Sequence, residues 1–242
     1  MVEQGYLGEF VRSVVKNIFS AKSARVLRVL LVNAAKNWNE RELAKEAEVS
    51  SGLVHYVCKS LIELGYLSRS AQNRLVLVDP VRLLKRWAAY HQYDKVNTFL
   101  DYYTFEREVD RFIQKLSTIK KSRYALTALA GAALIAPHVR PVDVHMYVYN
   151  KEDVVVMAKA LDLQPIPKGG NVKFVIPYDT GVFYGLQTVN IRISDEVISV
   201  VNVVSNVQLF VDLYNFPARG EEAASHLLEH ILKEWHEKRG KG

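Results

Sequence analysis

Apolar side chains recur along this chain at two periods, and the change from one to the other divides it. Leu7, Phe10, Val14 and Ile18 stand three and four apart, which predicts one buried face of a helix over residues 6–19. Ala24, Leu27, Leu30, Leu31 and Ala34 repeat that spacing and predict a second helix over 22–36. Asn39 with Glu42 three residues on has the form of a capping box, opening a short helix over 40–47 with Leu43, Ala44 and Ala47 inward. After the turn Glu48-Val49-Ser50, either Ser50 or Ser51 caps a helix to about residue 64. Its buried stripe is Val54, Val57, Leu61 and one of Ile62 or Leu64, and Gly65 supplies the stop. Residues 66–68 and 75–78 read as two strands of a hairpin with a polar tip over 69–74. Asp79-Pro80 then leads into a helix over 81–91 with Leu83, Leu84 and Trp87 inward.

Beyond about residue 92 strands and helices alternate. The aromatic-rich stretch 97–105 reads either as a strand or as an aromatic hinge. Helices are predicted over 106–119, 127–136, 152–161, 206–216 and 220–238, and strands over 123–126, 142–149, 172–176, 189–193 and 197–204. The expectation is an α+β chain of two domains. A helical N-terminal domain with a hairpin occupies residues 1–92, and an α/β C-terminal domain with a central sheet of about five strands occupies 93–242.

Composition changes this picture in two respects. An apolar share of 49% with 24% charged residues is that of an ordinary globular protein, so neither a disordered nor a membrane-embedded chain is indicated. No apolar run approaches the ~18 residues of a bilayer span, and the N-terminus lacks the pattern of a signal peptide. A soluble, cytoplasmic protein is expected. Cys58 is the only cysteine, which excludes an intrachain disulfide and a thiolate zinc site. The second respect is charge. The net +6 is not spread evenly: residues 1–95 hold 15 Lys and Arg against 9 Asp and Glu, and the remainder is neutral. A localised positive field suits a polyanion, because neutralising phosphates releases condensed counterions.

The stretch NERELAKEAEVSSGLVHYVCKSLIELGYL, with its Leu43-Ala44 pair, Val49-Ser50 turn and Leu61-to-Leu67 exit, resembles the winged helix-turn-helix family. That resemblance implies double-stranded DNA as partner, with the second helix of the pair in the major groove and the hairpin tip on flanking backbone or minor groove. Off the buried stripe of that helix stand Ser51, Gly52, His55, Tyr56 and Lys59. Arg69, Asn73 and Arg74 lie on the hairpin tip, and Arg41 and Ser50 flank the helix starts. The expected DNA-contacting set is Arg41, Ser50, Ser51, His55, Tyr56, Lys59, Arg69, Asn73 and Arg74. The bland alternative packs His55 and Tyr56 against neighbours and leaves Arg41 solvated.

A second resemblance rests on several short motifs in order. They are Tyr124-Ala125-Leu126-Thr127 before a small-residue helix, Arg140-Pro141-Val142, the run from Val175 to Asp179 with Gly181 to Gly185, and Asn206 to Leu213 before Arg219-Gly220-Glu221-Glu222-Ala223-Ala224. Together these are similar to the AbiEi family, winged-helix antitoxins and transcriptional regulators of type IV toxin–antitoxin systems. The resemblance implies autorepression through DNA binding, and counteraction of a partner nucleotidyltransferase toxin without a stable complex. A homodimer follows from how such readers span two half-sites.

The residues leave two other functions to weigh. An enzyme of nucleotidyltransferase ancestry needs paired carboxylates for metal, but Val142-Asp143-Val144-His145 offers one, with histidine in the second place. No catalytic residue, cofactor or metal is therefore expected. A ligand-responsive repressor would place a polar pocket near Tyr178, Asp179 and Tyr184. His226 and His230, four apart on the last helix, read as a metal pair or, more simply, as a solvated face. Arg219 either pairs with Asp212 or belongs to a partner surface. Lys168-Gly169-Gly170 reads as a plain turn into a strand.

Overall fold

The computed structural model describes residues 18–119, 123–194 and 197–240, and the chain divides into two compact units, 1–91 with 234–242 and 92–233. The helix expected over 6–19 falls outside the described residues except for Ile18 and Phe19.

The first unit is built on α1 (Ala21–Val32), α2 (Glu40–Glu46), α3 (Ser51–Glu63), the strands β1 (Leu67–Arg69) and β2 (Leu75–Leu77), and α4 (Pro80–Tyr90). Helix α1 is buried almost all round and supplies Leu27, Leu30 and Leu31 to the core. It ends at Val32, short of the expected residue 36, because the Asn33 backbone N–H and side-chain amide both donate to the Val29 carbonyl and satisfy the helix end there. The capping box of α2 is formed: the Glu42 N–H donates to Asn39 Oδ1 at 2.8 Å, and the Asn39 N–H to Glu42 Oε2 at 3.4 Å. Ser50 caps α3 by accepting from the Leu53 N–H at 3.3 Å. Gly65 at φ 74 ends that helix, and the Tyr66 N–H donates back to the Leu61 carbonyl. That six-to-one bond needs a left-handed residue, which glycine adopts without steric penalty.

Strands β1 and β2 pair Leu67 with Leu77 and Arg69 with Leu75. Trp38 adds two backbone bonds to Leu75, so the short hairpin is held on a third side. Leu43, Val57, Leu61, Leu75, Leu84 and Trp87 close the core. Arg28, fully buried, lies with its guanidinium 5.1 Å from the Trp87 ring centroid. Trp235 donates from Nε1 to the Leu31 carbonyl, one of the α1 carbonyls with no intrahelical partner.

The second unit carries α5 (Tyr93–Val96), β3 (Thr98–Tyr103), α6 (Val109–Leu116), β4 (Tyr124–Thr127), α7 (Ala128–Ile135), β5 (Val144–Val148), α8 (Lys151–Ala160), β6 (Gln164–Pro165), β7 (Val172–Ile176), β8 (Gln187–Arg192), β9 (Ile198–Val203) and α9 (Asn206–Tyr214). Helix α10 (Gly220–Arg239) closes the chain and belongs to this unit as far as Lys233. Among the described residues the sheet has seven strands in the order β6-β3-β7-β5-β4-β9-β8, two more than the five expected. One addition is the aromatic stretch, which is a strand: β3 pairs along its length with β7, Phe99 opposite Val175 and Leu100 opposite Phe174. The other, β6, is two residues long and too short to leave a periodic signature. The mixed helices and sheet make an α+β protein. Among the described residues no helix is long and apolar enough to cross a membrane.

Strands β4 and β5 are buried throughout. Strand β4 passes into α7 with no intervening loop, Ala128 taking φ 50 at the junction. At Gly131 a side chain would meet Leu209 and the Leu126 carbonyl, so α7 lies closer to its neighbours than any larger residue permits. Lys168-Gly169-Gly170 is tighter than a plain turn requires: a Cβ on Gly170 would stand 2.2 Å from the Tyr102 carbonyl oxygen.

Two glycines give opposite expectations. Gly170→Ala must displace backbone and lowers stability by roughly 1–3 kcal/mol. Gly52→Ala, with nothing within 4 Å of the added methyl, leaves stability unchanged or raises it by up to about 1 kcal/mol. Denaturation midpoints of the two variants against wild type check both.

Candidate nucleic-acid interface

Helix α3 is buried along Val54, Val57, Cys58 and Leu61 and turns Ser51, Gly52, His55, Tyr56 and Lys59 outward. The 3.6-residue period alone fixes that division, because the apolar stripe must face α1 and α2. Tyr56 is 37% exposed and Lys59 is exposed with no ion pair among the described residues. Arg41 is likewise exposed on the first turn of α2. Ser50 is engaged as a cap rather than held free.

The hairpin residues are organised by two carboxylates, Glu40, which the sequence did not single out, and Glu42, which it marked only as a cap. Arg69 pairs with Glu40 and donates to Asn73 Oδ1 at 3.1 Å. Asn73 sits at φ 58 and makes the turn of the tip. Arg74 donates to Glu42 Oε2 at 3.0 Å and to the Asn37 carbonyl at 2.9 Å. His55 Nδ1 lies 3.1 Å from the second oxygen of Glu40. The first turn of α2 therefore joins the outward face of α3 to the hairpin, with one carboxylate between His55 and Arg69. Burial pushes Glu40 up, but the hydrogen bonds and charges of His55 and Arg69 outweigh it and hold the carboxyl below its ordinary 4.5. Glu42 is lowered by the Asn39 backbone N–H and then by Arg74 and Lys36. Glu42 was legible as a cap; its second role needs the hairpin folded back against α2.

Further cations border this surface. Arg82, exposed on α4, donates to the Leu64 and Gly65 carbonyls and lies over the Tyr66 ring, so it satisfies the end of α3. Lys22 and Arg25, not anticipated, line a groove of about 510 Å³ with Val49, Ser50 and Leu53 at the start of α3. Their spacing of three on α1 was the available signal. Cys58 is no nucleophile, since burial pushes its thiol up to about 12.

Among the described residues of the second unit, two polar clusters are built around histidines. Asp143 Oδ2 lies 3.2 Å from His145 Nε2 and accepts from Lys173 Nζ at 3.2 Å, while Tyr93 OH lies 3.0 Å from His145 Nδ1. The single carboxylate of that stretch is thus committed to a lysine and a histidine. They keep it below its ordinary 3.8 despite burial, which acts the other way. The second cluster brings His138 onto His226, ring centroids 4.6 Å apart, with His138 Nε2 3.0 Å from Glu222 Oε1. A groove of about 570 Å³ opens there. Among the described residues no group of three or more His, Cys, Asp or Glu stands as a metal site. Of the two readings left open for Arg219, the pair with Asp212 is not formed. Arg219 binds Glu222, three residues on along α10, and Asp212 is fully buried. Asp179 caps the short 3-10 turn over Thr180–Phe183 by accepting from the Gly181 N–H.

A family model described as transcriptional regulator, AbiEi antitoxin, type IV TA system matches residues 74–233, well over half of the chain. The match starts in the hairpin and runs through the second unit. No curated protein and no solved structure matches the chain.

Because Glu40 has a lower pKa folded than unfolded, its pairing adds stability above 4.5 and loses it as pH falls through the lowered value. Glu40→Gln is therefore less stable than wild type near neutral pH, and the difference closes in acid. Urea midpoints of both proteins along a pH series test this.

Proposed function

The chain belongs to the AbiEi antitoxin family, transcriptional regulators of type IV toxin–antitoxin systems, and on that footing we propose that it represses its own operon by binding double-stranded DNA through residues 1–92. The supporting observation is that the outward residues of α3 and the cations of the hairpin are joined through the first turn of α2, within the segment that holds all of the net positive charge. In this reading α2, α3 and the hairpin are a winged helix-turn-helix. Helix α3 enters the major groove, where Ser51, His55 and Tyr56 read base edges. Arg41, Lys59, Arg69 and Arg74 contact phosphates, Asn73 sets the tip, and Ser50 holds the helix start.

The carboxylates give this surface a threshold. A guanidinium already bound to Glu40 or Glu42 is held in position, but its charge is partly spent. Phosphate has to replace the carboxylate, so contacts form where the backbone fits and weaken elsewhere. The protein acts as a dimer on paired half-sites. Residues 93–242 serve the antitoxin role against a nucleotidyltransferase toxin, and the protein is a cytoplasmic regulator without catalysis of its own.

Binding to the DNA upstream of its own gene, compared with random duplex across a salt series, tests the proposal. Wild type prefers the upstream duplex. The Lys59→Ala, Arg74→Ala double variant loses affinity and flattens the salt dependence by about 0.9 in log–log slope for each phosphate left without its cation. Glu42→Gln binds both duplexes more tightly and prefers the upstream one less. Equal affinity of wild type for the two duplexes overturns the proposal.

A further inference from the structure

The two ends of the seven-stranded sheet are finished differently. At one end β6 offers two residues, Gln164 and Pro165, opposite Tyr103 and Tyr102. A strand that short, with a proline that has no N–H to give, is a poor template for a further strand. At the other end β8 runs for six residues and, among the described residues, pairs only with β9.

The register says which groups on β8 are available. The Ile193 N–H donates to the Val197 carbonyl, and Ile191 stands opposite Ser199, Val189 opposite Val201 and Gln187 opposite Val203. In an antiparallel ladder bonded and non-bonded pairs alternate, so Gln187, Val189 and Ile191 direct their backbone groups to β9, and Thr188, Asn190 and Arg192 direct theirs outward. The Arg192 carbonyl is already taken, accepting from Gln114 Nε2 of α6 at 3.0 Å. Thr188 and Asn190 are left with both N–H and C=O on the open edge.

We propose that β8 is the surface through which two copies of this chain associate, antiparallel, with Val189 on the two-fold axis. In that register Thr188 faces the partner's Asn190 and Asn190 faces the partner's Thr188. Four backbone bonds form, and no open group of Thr188 or Asn190 remains, while Arg192 keeps its contact with Gln114. Val189 meets its own copy at a non-bonded position, where strands approach most closely. The strand has one charged residue, and this register sets Arg192 opposite the partner's Leu186, so no like charges oppose each other. A second copy is thereby matched in length, charge and bonding groups. A groove of about 290 Å³ lined by Asp110, Ile113, Gln114, Leu134, Ile191 and Arg192 borders the same stretch of edge. On β9, one strand in from the edge, Ile198 and Val200 are 68% and 41% exposed. A contact of this length lies at the small end of specific interfaces. The pairing supplies the dimer of the proposed function and rests on that part of it alone.

Sedimentation velocity without DNA at micromolar concentrations tests it. Wild type sediments at twice the 27.6 kDa of one chain. Asn190→Pro removes an N–H unused within the chain and sediments as single chains. A second pair of variants covers the case in which the proline disturbs β8: Thr188→Glu with Asn190→Glu, and Thr188→Lys with Asn190→Lys. Each alone sets like charges opposite one another and is a single chain, whereas an equimolar mixture forms the dimer. Wild type sedimenting as single chains, folded variants that all remain dimeric, or a mixture that stays apart would each overturn the pairing. A protein that dimerises through β8 and ignores its upstream DNA upholds the pairing and removes the regulator reading. Single chains that select that DNA do the reverse.

Discussion

A carboxylate without exposure to solvent organises the second unit. Asp212, on α9, accepts from Thr127 Oγ1 at 2.6 Å, from Gln208 Nε2 at 2.7 Å and from Tyr147 OH at 3.1 Å. Those donors stand at the end of β4, on α9 itself and on β5. Tyr147 in turn accepts from Asn97, whose other amide atom receives the Tyr178 N–H beyond β7. A buried carboxylate is costly unless its lone pairs are filled, so the elements carrying these donors are held to one arrangement. The abrupt passage from β4 into α7 depends on it. Ala128 takes a left-handed backbone there, and the residue before it is the one bonded to Asp212. Local strain of this kind persists only where neighbouring contacts over-determine the position.

The first unit meets a different constraint, that of positioning several cations close together. Arg69 and Arg74 would repel one another on so small a hairpin surface. Glu40 and Glu42 sit between them, on the first turn of a helix, where negative charge is also favoured by the backbone dipoles. Each exposed pair contributes little on its own. Their value lies in geometry, since they fix the hairpin against α2 and α3 while leaving Lys59 and Arg41 unneutralised.

Much of this was legible in the sequence wherever the signal is local. The capping box at Asn39 and Glu42 and the stop at Gly65 depend on residues within a few positions of one another and formed as read. The cap fell to Ser50 of the two serines offered, and the stripe of α3 kept Val54, Val57 and Leu61 but added Cys58 and Ser60 in place of Ile62 or Leu64. What escaped depends on distant partners. Residues 97–105 were ambiguous because aromatic side chains suit both a half-buried strand and a hinge, and only pairing with β7 decides. Arg219 had Asp212, Glu221 and Glu222 within reach along the chain. The choice fell on Glu222 because three positions along a helix is one turn, while Asp212 was claimed by neutral donors. His138 and His226 meet with no trace in the sequence, being 88 positions apart. The carboxylate partners of the hairpin arginines were invisible for the same reason.

Cys58 faces the core from α3 with its thiol up to about 12, and it is the only cysteine. A thiol so placed neither ionises near neutral pH nor meets solvent oxidants, which leaves the native chain chemically silent toward sulfhydryl reagents. Any cysteine introduced on the surface is then the sole reactive sulfur. The protein can carry a spin label or fluorophore at one chosen point, at the hairpin tip or beside β8, with no native residue to remove beforehand.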